Sequence, residues 1–507
     1  MQSILDAGNQ SIVIDVECNM SNSLPSILIV GFASKAVDES KERIRSAFSN
    51  SKMQLPKKRI TINLAPADIP KDSTSFDLPM AVAILLSSGQ VESTKTKDSI
   101  FIGELGLDGK VRSVRGIIGK LLAGRKKGFS TFYIPADNLN QAMLVPGLFV
   151  IPVNNLNELY LHLTGVRNIP IANTGKLLND FPAPNYQNNF SDVVGQARAK
   201  RAMEIAAAGS HNILLNGAPG TGKSMLAKAL PTILPPMHSE EILEVTHLHS
   251  LAGKEYDAII NERPFRSPHH SASGISIIGG GQYPRPGEIS LAHRGVLMFD
   301  EFPEFNRITI EALRQPLEDR VITVARARDN LTFPADFMLV ATCNPCPCGY
   351  YGTSKPCTCM PGQIEKYHRK ISGPIIDRID LYVDVDEVKH DSLLRDQKSE
   401  TSQDIQKRVL SARNRQSARY KEPLKSNSSL NNREIKKYIN LSESAEALLN
   451  QAAEKLNISA RSYMRVIKVS QTIADLDNSD EIKTAHISEA LQYRRKVTET
   501  ASFSLVN

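Results

Sequence analysis

The chain has 507 residues, of which 41% are apolar and 23% charged, the make-up of an ordinary globular protein of roughly two to four domains. Its formal charge of +7 permits a nucleic acid partner without demanding one. No uninterrupted apolar run reaches the roughly 18 residues of a membrane span, and no basic stretch followed by an apolar one opens the chain, so a membrane partner and secretion are not expected.

In chain order, residues 1 to about 165 mix strand-like runs (11–16, 26–30 and 59–64) with helical stretches near 77–88 and 115–126. This predicts an α+β domain. Residues 166–189, rich in asparagine and carrying Pro170, Pro182 and Pro184, read as a linker. From 190 to about 390 strands alternate with helices, the pattern of a parallel α/β sheet, with strand candidates at 213–215, 296–299 and 338–342. Residues 391–507 read as mostly helical, with apolar residues at helical spacing from 459 to 476.

The most specific motif is Gly217, Ala218, Pro219, Gly220, Thr221, Gly222, Lys223 and Ser224, which fits G-x-x-x-x-G-K-[ST] at every fixed position. It lies between an apolar strand and a helix that Pro231 should stop. Such glycines let backbone N–H groups turn inward around phosphates, the lysine reaches the β- and γ-phosphates, and the serine hydroxyl ligates Mg²⁺. The strand 296–299 runs into Asp300 and Glu301. Beside a phosphate loop, the aspartate completes the Mg²⁺ shell and the glutamate polarises an attacking water. Asn344 follows the apolar run 338–342 and is a candidate for orienting that water.

The phosphate loop, the Asp300-Glu301 strand, Asn344 and Arg378 (in the run 377–381, DRIDL) occur in the order of an AAA+ ATPase. Residues 285–297 and 344–349 resemble the magnesium-chelatase branch, and more narrowly its YifB/ComM-type family, over nearly the whole length. The resemblance implies an AAA+ core with a helical lid, working as a homo-hexamer with ATP and Mg²⁺ between neighbouring subunits. Arg378 would be the arginine finger. Arg461 matches the second sensor arginine of the lid, and Arg465, one helical turn away, competes for that role. The family also implies a DNA-stimulated motor that promotes branch migration while transforming DNA is integrated. Two rivals stand beside it: a chelatase-type motor that remodels a protein partner, and an ATP-dependent protease. Five of the six cysteines fall between 343 and 359, unlike a disulfide framework, so a cytoplasmic protein is expected.

The protease reading rests on the N-terminal block, which resembles a Lon-protease domain. Ser75, in the run 70–79, stands at the place of Lon's nucleophile. Ile118 stands where the partner lysine would be, and Lys120 lies two residues along the helix, on a different face. A retained fold without peptidase activity is expected.

Residues 319–333 read as a hairpin with Arg326 and Arg328 on one face of a strand. In related ring helicases a hairpin here enters the pore, where arginines would grip the phosphates of single-stranded or branched DNA. Residues 407–425 carry seven Lys or Arg against Glu422, and fit a DNA-facing helix or a solvated face equally. Cys346, Cys348, Cys357 and Cys359 form two close pairs that can close a thiolate site for Zn²⁺, though C-x-C is tighter than the usual C-x₂-C; free thiols in a reducing compartment are the alternative. Cys343 reads as core, and His269-His270 as a loop rather than a metal pair. From Lys223 to Asp300 is 300 − 223 = 77 positions, room for an inserted strand–helix–strand, placed at 265–285.

Overall fold

The computed structural model describes residues 1–7, 10–71, 73–174, 186, 188–252, 258–281, 285–325, 330–387 and 400–494. They form two compact units, the first made of Met1–Ala183, Met237–Asn261 and Ala325–Phe333, the second of Pro184–Pro236, Glu262–Val324 and Pro334–Asn507.

In the first unit an eight-stranded mixed sheet runs in the order Ala172–Asn173, Phe149–Val153, Thr131–Pro135, Ser99–Phe101, Gln2–Ala7, Gln10–Ser21, Arg59–Ala65, Ser26–Val30. Alternation sets its inner face: Ile27 and Ile29 are buried on one strand, and Ile60, Ile62 and Leu64 on its neighbour. The strand expected at 11–16 continues to Ser21, because its first half, up to Asp15, pairs with Gln2–Ala7 and its second half, from Asp15 on, pairs with Arg59–Ala65. The helices expected near 77–88 and 115–126 are Asp77–Ser87 and Ile117–Lys126. Asp77–Ser87 is buried on nearly every side, as its run of Leu, Pro, Met, Ala, Val and Ile requires.

Segment 237–261 departs from the expected block 190–390. Its helix, Ser239–Ala252, sets Ile242 and Val245 into a cluster with Ile118, Leu121 and Phe132 of the first unit. The apolar side of the helix finds its partner there, and connectivity in the chain does not decide where it packs.

The second unit is built on a five-stranded, wholly parallel sheet in the order Phe265–Arg266, Val296–Phe299, Met338–Cys343, Ile213–Asn216, Leu381–Asp384. Val296–Phe299 and Met338–Cys343 are buried along their whole length, as strands covered on both faces must be. Helices Ala197–Gly209 and Lys223–Ala229 belong to this core. The second of them ends before a 3₁₀ turn, Leu230–Ile233, that Pro231 can enter because its missing N–H is not needed there. The helical part comprises Ser402–Tyr420, Asn432–Tyr438, Glu443–Lys455, Ala460–Leu476 and Thr484–Gln492.

The stretch expected as an insertion, 265–285, starts as a strand of the main sheet and continues as a short helix, Gly274–Ile278, and a two-stranded ribbon of Gly279–Gly280 with Arg285–Pro286. Val321–Ala325 and Asn330–Pro334 form a two-stranded sheet, the expected hairpin. Arg326 and Arg328 lie outside the described residues.

Candidate nucleotide and metal sites

Because all five strands run the same way, their C-terminal ends bring three distant segments to one edge: 217–224, 300–301 and 342–344. That edge is where open parallel sheets hold ligands. Gly220 and Gly222 have φ of +84° and +88°, the left-handed region that favours glycine. A Cβ on Gly217 would meet the Val385 carbonyl oxygen at 2.5 Å, so only glycine lets the loop pass this close to the next strand.

Lys223 begins the helix after the loop. Its ammonium donates to the carbonyls of Gly217 (2.6 Å) and Ala218 (2.8 Å) and lies 3.3 Å from the Asn344 side-chain oxygen. Burial pushes its pKa below the usual lysine range. The Ser224 hydroxyl donates to Asp300 at 3.0 Å. A hydroxyl and a carboxylate converging in this way are the hard oxygen donors that Mg²⁺ takes, so the residues present fit that ion.

A residue that sequence reasoning missed completes the arrangement. Thr342, fully buried, donates its hydroxyl to the other Asp300 oxygen at 2.6 Å and accepts the Glu301 backbone N–H at 2.9 Å. Its place at the end of an apolar strand, two residues before Asn344, was the available signal. Glu301 itself is exposed, with a left-handed φ of +52°, a strained conformation for a glutamate of the sort found at functional sites.

Arg378 and Arg461 do not join this edge. Leu381 pairs with Ile213 and Asp384 with Asn216, so Arg378 precedes the end of its strand that lies opposite the phosphate loop. There Arg378 donates to one oxygen of Glu318 and, at 2.6 Å, to the Pro374 carbonyl, and Arg461 reaches the other Glu318 oxygen at 3.5 Å. Burial and the nearby Arg461 and Arg314 cations push the Arg378 pKa down. Arg465, the competing sensor, is tied instead to the Ile379 carbonyl (2.5 Å) and the Ser462 hydroxyl (2.8 Å).

The basic run 407–425 is largely committed within the chain. Arg408 bonds Glu204 at 2.5 Å and also Glu400, Arg415 bonds Asp480, Arg419 bonds the fully buried Asp475, and Lys425 bonds Glu434 at 2.7 Å. These pairs argue against a helix reserved for DNA.

The four cysteines converge. The ligand atoms of Cys346, Cys348, Cys357 and Cys359 lie within 4.8 Å of one another, the one such group of three or more His, Cys, Asp or Glu among the described residues. Amide N–H groups point at the sulfurs: Tyr351 to Cys346 (3.3 Å) and Cys348 to Cys359 (3.4 Å). The Tyr350 and Thr358 amides, with Cys346, hold the Cys348 thiol down to about 6. Four convergent sulfurs with amide donors to them fit a tetrahedral thiolate metal site. His269 bonds Ser271 at 2.7 Å and packs against the His270 ring at a tilt, as the loop reading predicts. Cys343 is buried, as expected of a core position.

In the first unit Ser75 is buried, with its hydroxyl 2.8 Å from that of Ser73. Ile118 is fully buried in the apolar cluster, where it offers no base.

A parallel sheet in this strand order, with a phosphate loop, an Asp-Glu strand and an asparagine at one edge, defines an AAA+ phosphate-loop ATPase. Residues 189–393 match the family "Magnesium chelatase, subunit ChlI", residues 16–138 "Subunit ChlI of Mg-chelatase", and residues 399–494 "Magnesium chelatase, subunit ChlI C-terminal". Competence protein ComM of Haemophilus influenzae is 41% identical over 97% of this chain and 96% of its own. YifB of Escherichia coli is 40% identical over 95% and 94%. The chain belongs to this ComM/YifB family of magnesium-chelatase-like AAA+ proteins. Lon protease of Leptospira interrogans is 28% identical over 34% of this chain and 20% of its own length.

Proposed function

We propose that this protein is a ring-forming, ATP-driven DNA motor, a hexamer that promotes branch migration during integration of transforming DNA. The observation that carries the shared-site part is the separation of Lys223 and Arg378 to opposite ends of one sheet. An arginine placed there cannot reach its own chain's phosphate loop, and it suits the loop of a neighbouring copy. The similarity to competence protein ComM supports the DNA part.

On this reading the 217–224 loop cradles the phosphates and Lys223 leaves the loop carbonyls for the β- and γ-phosphates. Ser224 and Asp300 would hold Mg²⁺, which when bound would supply positive charge against the phosphates. Thr342 fixes Asp300 in place while anchoring the turn that presents Glu301. Glu301 polarises the attacking water and Asn344 orients it. Arg378 of the next subunit, assisted by Arg461, stabilises the transition-state charge. Arg326 and Arg328 grip DNA phosphates, and the cysteine tetrad holds a structural Zn²⁺.

ATP hydrolysis measured with and without single-stranded or forked DNA tests this. Stimulation by DNA in the parent, weakened together with DNA affinity in Arg326→Ala/Arg328→Ala, is the expected result. A rate indifferent to DNA, with affinity intact in the variant, would leave the chelatase-type remodeller as the better reading.

A further inference from the structure

Glu318 lies in the short helix Arg314–Asp319, whose chain passes through Arg320 into the hairpin strand Val321–Ala325. Its carboxylate takes Arg378 on one oxygen and Arg461 on the other. Gln315, one turn earlier on the same helix, makes two bonds to that strand: its amide donates to the Thr323 hydroxyl at 3.1 Å and its carbonyl accepts the Thr323 N–H at 3.0 Å. Beyond the helix, Arg320 bonds Asp336 at 3.2 Å, and its carbonyl accepts the Ala335 N–H at 2.8 Å, closing the far side of the hairpin base. One helix is therefore bonded at one position to the two arginines and at another to the base of the hairpin.

We propose that Glu318 is a positioning residue that links the nucleotide state of the neighbouring subunit to the hairpin of its own subunit, through the Gln315–Thr323 pair. This rests on the reading above, in which Arg378 and Arg461 serve a neighbour's phosphates. Glu318 competes with those phosphates for the same two cations. When the arginines turn to a γ-phosphate, Glu318 loses both partners and its helix is released. Gln315 carries the change in that helix to Thr323. By reciprocity, a hairpin held by DNA biases the helix and, through Glu318, the arginines, which is how DNA raises the hydrolysis rate.

The test compares ATP turnover with and without single-stranded DNA for the full-length parent, Glu318→Gln and Gln315→Leu. Glu318→Gln removes the competing charge, so its DNA-free rate rises by about two- to fivefold, the scale of a half-exposed ion pair. Gln315→Leu leaves the DNA-free rate at the parent's value, because it touches neither arginine. In both variants the ratio of DNA-stimulated to DNA-free rates falls toward one. Glu318→Asp, whose shorter arm reaches one arginine rather than two, falls between. Either main variant keeping the parent's ratio, or Glu318→Gln lowering both rates together, overturns the link. A parent that itself shows no DNA stimulation overturns the DNA motor instead, so the two failures are distinguishable.

Discussion

Lys223 and Arg378 stand at opposite ends of one parallel sheet, separated along it by the length of the strand pair Ile213–Asn216 and Leu381–Asp384. At about 3.3 Å per residue, four paired residues put roughly 10 Å of strand between the two ends. A composite site between copies predicts a particular complementation. Lys223→Ala and Arg378→Ala each lose ATP turnover by about 10³-fold or more. Mixing the two inactive proteins restores a measurable fraction, because some junctions then pair an intact loop with an intact arginine. A mixture as inactive as its components would refute the shared site.

Thr342 touches Asp300 and the Glu301 backbone at once, so its hydroxyl is expected to matter although it need not meet the nucleotide. Thr342→Val keeps the shape and removes the bond to Asp300. Turnover or apparent Mg²⁺ affinity should fall by about 10- to 100-fold, the usual effect of losing a group that orients a metal ligand. A Mg²⁺ titration of ATPase activity reads this; an unchanged curve would show that Asp300 needs no such support.

For the cysteine tetrad, metal analysis of the purified chain should find about one Zn²⁺ per molecule, held tetrahedrally by four sulfurs. Cys346→Ser, at the most buried of the four positions, should lose the metal and melt several degrees lower. If chelation changes neither metal content nor melting, the four residues are free thiols.

Arg419 tests what the basic helix is for. It pairs with Asp475, a fully buried carboxylate that also accepts from Asn427 at 2.9 Å and Gln471 at 3.1 Å. Arg419→Ala leaves that buried charge with only the Arg415 guanidinium, 4.0 Å away, and should cost about 3 kcal/mol of stability in denaturant melts. DNA affinity of the folded variant should stay at the parent's value. Weakened DNA binding without loss of stability would return this helix to the interface.

Ser75→Ala should leave ATP turnover, DNA stimulation and stability within about 1 kcal/mol of the parent, since it removes one hydrogen bond to Ser73. Peptidase activity present in the parent and lost in this variant would reverse the reading of the first unit as a retained fold without a working Ser–Lys pair.

Much of the ATPase site was legible in the sequence. The phosphate loop needs glycines at two left-handed positions and a lysine at the helix start, all within eight consecutive residues. Asp300, Glu301 and Asn344 each follow an apolar strand, so their places are readable from local pattern alone. Four cysteines within fourteen positions advertise a candidate metal site for the same reason. The first unit's strands were readable from alternation, but not the length of Gln10–Ser21, which two pairing partners set.

By itself, then, the sequence determined the strands, the loop and the identity of the acid and amide at its edge, because each is fixed by spacing within one short segment. Tertiary structure alone decided where those segments meet. It brought Thr342 under Asp300, carried Ser239–Ala252 into the first unit, and turned the arginines of 407–425 onto acids far away in the chain. It also set Arg378 and Arg461 on one glutamate, at the end of the sheet away from their own chain's phosphate loop. Strand register and ion pairing depend on which distant surfaces pack together, and no periodicity within a single segment records that.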